Sequence, residues 1–99
     1  MARIRVGSTS DVPAGEGRVV EAGGRALALF NVDGAFYAID NTCAHRGGPL
    51  GEGELDGTVV TCPLHGWQFD VTNGEGKTMP VLIKTYPVRV EGADILVDV

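Results

Sequence analysis

The chain of 99 residues contains two cysteines and two histidines. All four lie in the stretch "CAHRGGPLGEGELDGTVVTCPLHGWQFD", from Cys43 to Asp70. They form two mixed pairs, Cys43-x-His45 and, after sixteen intervening residues, Cys62-x-x-His65. Each pair offers one thiolate, a soft anionic donor, and one imidazole, a neutral borderline donor, so together they make a two-sulfur, two-nitrogen metal set. Two cysteines could instead close one disulfide. Each, however, sits a step or two from a histidine, and no other feature points to an oxidising compartment. Zinc accepts such a donor set tetrahedrally, although its usual structural sites keep the cysteines in one pair and the histidines in the other. Mixed pairs also suit an iron–sulfur cluster with two unlike irons, one taking the cysteine of each pair and the other the histidine.

Two loops that converge on one metal group need a rigid frame, and the rest of the chain is written for one. Turn pairs recur at Gly23-Gly24, Asp33-Gly34, Asp56-Gly57, Asn73-Gly74 and in the "EGAD" of Glu91 to Asp94. Such pairs accept positive φ and close tight hairpins. Short apolar or β-branched runs lie between them: "RVVEA", "ALALFNV", "AFYAI", "TVVTC", "WQFDV", "YPVRV" and "ILVDV". In "YPVRV", the residues Tyr86, Val88 and Val90 share one face of an alternating strand. No window carries a helical stripe, because glycine or proline interrupts every candidate. The reading is all-β, an antiparallel β-sandwich or small barrel. Both donor pairs fall in its loops, at one end of the sheets.

Hydrophobic residues make up 43 % of the chain and charged residues 21 %, which places it among folded globular proteins. A single domain over 1–99 is expected, with its metal-binding part at about 41–70. The formal net charge of −5 argues against a nucleic-acid partner, whose phosphates call for lysine and arginine. It suits docking onto a basic protein patch instead, and Glu52, Glu54 and Asp56, between the two pairs, form either part of that face or an ordinary solvated charge cluster. With no targeting segment and no apolar run long enough for a membrane span, a cytoplasmic location is expected.

The boxes "CAHRGGPL" and "CPLHGWQFD" resemble the two cluster-binding boxes of Rieske [2Fe–2S] proteins in order, spacing and flanking residues. The hairpin-rich remainder fits that family's small all-β domain. The resemblance implies that Cys43 and Cys62 bind an inner iron, and His45 and His65 an outer one. Around them, Gly47, Gly48 and Gly66 would let backbone approach the cluster closely. Pro49 and Pro63 would stiffen the loops, and Trp67 would shield a flank. Arg46, beside a ligand, faces either a partner or solvent.

Rieske proteins of respiratory and photosynthetic complexes carry an extra cysteine in each box, joined in a disulfide, where this chain has Gly48 and Leu64. They also carry a serine and a tyrosine that hydrogen-bond to cluster sulfurs, where this chain has Trp67 and Phe69. Loss of donors that stabilise the reduced cluster lowers the potential, so a value of roughly −150 mV is expected. Reduction is expected to couple to proton uptake at alkaline pH. The combination resembles the ferredoxins of bacterial aromatic-ring-hydroxylating dioxygenase systems. That likeness implies a monomeric carrier of one electron at a time, passing between a flavin-dependent NAD(P)H reductase and a terminal oxygenase. The alternatives are the small Rieske subunit of an NAD(P)H nitrite reductase and, in another class, a zinc-holding interaction module.

Overall fold

The computed structural model describes residues 3–42, 49–64, 66–78 and 81–99. Its strands are β1 (Arg3–Ser8), β2 (Gly17–Ala22), β3 (Arg25–Val32), β4 (Ala35–Asp40), β5 (Glu54–Asp56), β6 (Val59–Thr61), β7 (Gln68–Asp70), β8 (Thr85–Tyr86), β9 (Val88–Glu91) and β10 (Asp94–Asp98). They assemble into three antiparallel sheets, ordered β1-β10-β9, β2-β3-β4-β8 and β5-β6-β7. The all-β reading therefore holds. Among the described residues, the only helical segments are two short 3-10 turns, Thr9–Asp11 and Leu50–Glu52. No helix among them is long and apolar enough to cross a membrane.

The sheet β2-β3-β4-β8 is central, and β3 shows why. Successive side chains of a strand point to opposite faces, and "LALF" is buried at every position from Leu27 to Phe30. Leu27 and Leu29 join Ile95 and Val97 of β10 in one core. Ala28 and Phe30 join Val60 of β6 and Phe69 of β7 in the other. A strand covered on both sides has no use for alternating polar residues, so its run is continuously apolar. Burying each of these leucine or phenylalanine side chains stabilises the fold by roughly 1.5–3 kcal/mol.

Most of the apolar runs became strands where they were expected, but "YPVRV" divides. Tyr86 ends β8 and pairs with Ala38 of β4, whereas Val88 begins β9 and pairs with Val97 of β10. Pro87 between them has no N–H to continue a ladder; its carbonyl accepts the Asp98 N–H at 3.0 Å. The chain thus changes sheet at the proline, and Val90 does not share the buried face of Tyr86, being 44 % exposed. β1 and β5 lie outside the apolar runs. β1 alternates arginine with small or aliphatic residues, and β5 is "ELD", too short and charged to show a period.

Tyr86 fastens the end of β4. Its buried hydroxyl donates to Asp40 Oδ1 at 2.6 Å, and the Lys84 ammonium lies 5.2 Å from its ring centroid. Burial, then the hydrogen bond and negative charge of Asp40, raise the phenol above the ordinary tyrosine range, with Arg25 acting weakly the other way. The folded protein therefore holds this proton more tightly than the unfolded chain does. The stability so gained is present below the usual tyrosine range and is lost as pH rises through and beyond it. Tyr86→Phe is expected to flatten that alkaline decline, read from melting temperatures between about pH 8 and about pH 11. Parallel curves for variant and parent would assign the decline to other groups.

Candidate metal centre

Cys43, His45 and His65, together with Arg46, Gly47 and Gly48, lie outside the described residues. The structure describes Cys62 and the frame from which both donor loops spring. The first loop leaves β4 at Asp40 and returns at Pro49. Thr42 and Pro49 pair in an antiparallel bridge across its neck. Below the bridge, the Leu50 N–H donates to the Asn41 carbonyl at 2.8 Å, and the Gly51 N–H donates to Asn41 Oδ1 at 2.8 Å. Asn41 in turn donates its own N–H to the Ala26 carbonyl, at 3.2 Å, on the neighbouring strand. Leu50 is fully buried and plugs the loop's return into the core of Phe30, Val60 and Phe69.

The second loop is the tip of a hairpin. Val59, Val60 and Thr61 of β6 pair with Asp70, Phe69 and Gln68 of β7. The ladder runs one step further, with the Cys62 N–H donating to the Trp67 carbonyl at 2.7 Å. The Gly66 N–H donates back to the Cys62 carbonyl at 3.1 Å, and Gly66 has φ of +75°, which a side chain would strain. Cys62 is buried in the same core as Leu50, and half-buried Trp67 packs against that core. Leu64 points outward at 53 % exposure. Phe69 is fully buried in the core below.

The two loop bases touch. Glu54, just after the first loop, pairs with Thr61, just before Cys62. A Cβ on Gly53 would run into the Thr61 carbonyl and come within 3.0 Å of Val60 Cγ2, so backbone lies directly on backbone there. A cleft of about 450 Å³ opens beside this contact, lined by Glu52, Glu54, Thr61, Cys62 and Pro63. Glu52, Glu54 and Asp56 are exposed, as a docking face requires. The ion pairs among the described residues engage other acids: Glu75, Glu91, Asp94 and Asp98.

A segment that the sequence did not single out closes the hairpin from behind. The Gln68 N–H donates to Thr78 Oγ1 at 3.0 Å, and its carbonyl accepts the Lys77 N–H at 2.7 Å. Partial burial would raise the carboxyl of Asp70, at the end of β7. That push is outweighed by hydrogen bonds from the Thr72 hydroxyl and N–H, at 2.6 and 2.9 Å, and by Lys77, and the net direction is downward. Asn41 has only a slight signature in the sequence. An asparagine directly after an apolar strand is a loop-starting residue, and that was its one available signal.

The frame fits a metal group held between two loops: both necks are closed by hydrogen bonds, they adjoin, and a buried cysteine stands at their junction. The Rieske [2Fe–2S] domain pattern matches residues 2–87. The chain belongs to the Rieske [2Fe–2S] family. With membership comes one [2Fe–2S] cluster of the Rieske type.

This Rieske chain is 41 % identical over 90 residues to the ferredoxin component of a naphthalene 1,2-dioxygenase system from Pseudomonas aeruginosa, covering 89 % of this chain and 86 % of that one. The solved Sphingomonas yanoikuyae B1 ferredoxin superposes with a TM-score of 0.90 at 38 % identity, over 98 % of each chain. A chain in the complex of reduced oxygenase and oxidized ferredoxin of carbazole 1,9a-dioxygenase superposes with a TM-score of 0.89 at 36 % identity, over 96 % of this chain and 91 % of that one. A chain described as the small subunit of an NADPH nitrite reductase superposes with a TM-score of 0.85, but at 20 % identity it shares only the fold.

The Gly53 contact gives a direct check of the frame. Gly53 follows the 3-10 turn with φ of −76°, a conformation open to any residue, so the cost of alanine there is steric, against the Thr61 carbonyl first and then Val60 Cγ2 and the Leu50 carbonyl. Gly53→Ala is expected to cost about 1–3 kcal/mol, measured as a lowered melting temperature. An unchanged melting temperature would mean that the two bases can part without penalty.

Proposed function

We propose that this chain is a Rieske ferredoxin, carrying one electron at a time from a flavin-dependent NAD(P)H reductase to a terminal ring-hydroxylating oxygenase. It is the electron-transfer component of such a system and converts no substrate itself. The observation that carries this reading is the near full-length match to ferredoxin components, at 41 % identity. The nitrite reductase alternative has only a shared fold in its favour. The zinc alternative has no support from the family match.

In this reading, Cys43 and Cys62 bind the inner iron, and His45 and His65 the outer. Residues 1–99 form one domain, with its cluster-binding part at about 41–70, working as a monomer in the cytoplasm. The cluster supplies an iron that alternates between ferric and ferrous states. The chain's own residues hold the two loops together, bury Cys62 and present exposed Leu64 and the exposed acids Glu52, Glu54 and Asp56 to a partner. Arg46, Gly47 and Gly48 complete the first loop, and Pro49, Gly66 and Trp67 complete the surroundings of the cluster.

A redox titration followed by electron paramagnetic resonance tests the assignment. A reduced-state signal of the Rieske type, with a midpoint near the low end of the family's range at roughly −150 mV, is expected. Loss of the signal is expected in Cys62→Ser. Stoichiometric zinc in place of iron would sink the reading.

Two further outcomes follow from the residues around the cluster. The double variant Trp67→Ser with Phe69→Tyr restores the hydroxyls of high-potential relatives. It is expected to raise the midpoint by roughly 50 mV, the equivalent of about 1 kcal/mol of hydrogen bonding for one electron. A fall or no change would mean that neither hydroxyl reaches a sulfur. Replacing Glu52 and Glu54 by glutamine and Asp56 by asparagine is expected to slow reduction of cytochrome c, a basic acceptor, severalfold at low ionic strength. The difference should vanish at high salt. Equal rates at low salt would remove these acids from the docking face.

A further inference from the structure

We infer that Asn41 is the positioning residue of the first ligand loop, an inference that rests on the assignment of Cys43 and His45 as ligands. The loop returns into the 3-10 turn Leu50–Glu52, and the first N–H groups of such a turn have no partner within it. Asn41 supplies acceptors for two of them. Its main-chain carbonyl takes the Leu50 N–H at 2.8 Å, and its side-chain oxygen takes the Gly51 N–H at 2.8 Å. One residue at the loop's entrance thereby fixes its exit. Asn41 is itself anchored, by its N–H to Ala26 and by the Asp40–Tyr86 hydrogen bond one residue earlier.

Gly51 has little room on its other side. A Cβ there would sit 2.7 Å from Val19 Cγ2 and 2.9 Å from the Val19 nitrogen, so its backbone already lies against β2. Held between β2 and the Asn41 oxygen, Gly51 has a fixed position, and the span from Thr42 to Leu50 starts and finishes at fixed points. Without the side-chain bond, the neck is closed by the Thr42–Pro49 bridge and the Leu50–Asn41 main-chain bond, and Gly51 is no longer tied to the loop's entrance. Removal of the Asn41 oxygen leaves the part-buried Gly51 N–H without that acceptor and frees the exit of the loop to shift.

Asn31 provides a matched control. It is buried, with its Nδ2 donating to the Val12 carbonyl at 2.8 Å and its Oδ1 accepting the Gly34 N–H at 2.7 Å. Val12 belongs to the core shared with β10, on the face of the central sheet turned away from the ligand loops. Asn31→Ala should therefore destabilise the fold without touching the cluster.

The experiment compares the wild type with Asn41→Ala, Asn41→Asp and Asn31→Ala, each loaded with its cluster. It reads the g-values of the reduced state, the melting temperature and the rate at which visible absorbance decays under chelator. Asn41→Ala is expected to shift the g-values and to lose its cluster roughly fivefold faster, the factor one ordinary hydrogen bond gives. Asn41→Asp keeps an acceptor for Gly51 and is expected to lose its cluster at the wild-type rate. Asn31→Ala is expected to melt lower with wild-type g-values. Wild-type g-values and decay in Asn41→Ala would overturn the inference, as would equal effects in Asn31→Ala or a decay in Asn41→Asp as fast as in the alanine variant. A wild-type protein with no Rieske signal would instead overturn the ligand assignment itself.

Discussion

The ligand loops depend on a single packing event: Leu50 from the first and Cys62 from the second enter the same core, over Phe30 of the central sheet. Neither loop could hold its donors alone, since short irregular segments lose too much conformational entropy when ordered. Their shared floor offsets that loss with apolar burial. It is built of Phe30, Val60 and Phe69, all fully buried and supplied by three different strands. The hydrogen bonds at the two necks then set direction, which hydrophobic packing by itself does not.

The central sheet serves two masters. Its far face is covered by β1, β10 and β9, so that β3 is apolar along both sides, and the near face is left to support the site. Both faces stabilise the fold, and the near one also supports the site. Tyr86 of the far core also reaches the neck of the first loop, through its hydrogen bond to Asp40. An electron carrier gains from such a frame, because rigid supports limit the rearrangement that each transfer requires.

Much of this was legible in the residues. The mixed Cys–His pairs and their flanking glycines and prolines pointed to the family, and the Gly-rich turns pointed to hairpins, because both signals are local. What could not be read is what depends on neighbours distant in sequence. "YPVRV" alternates like one strand, yet Pro87 within it is the corner between two sheets. β5 is a different case: its turn pair Asp56-Gly57 is local, but "ELD" has no apolar pattern of its own and is a strand because β6 offers it a ladder. Asn41 and Thr78 act through backbone groups ten residues away, and no periodicity records such a bond.

The contact between Gly53 and Thr61 has a chemical meaning beyond its geometry. High-potential Rieske proteins tie their two cluster loops together with a disulfide, and a chain whose two cysteines are both proposed as cluster ligands has none to spare. Here glycine against a carbonyl, with β5 and β6 paired alongside, keeps the loops side by side through van der Waals contact and amide hydrogen bonds. Such a brace contains no sulfur. It is indifferent to thiol exchange, so a reductant that would open a disulfide leaves this contact between the loops unchanged.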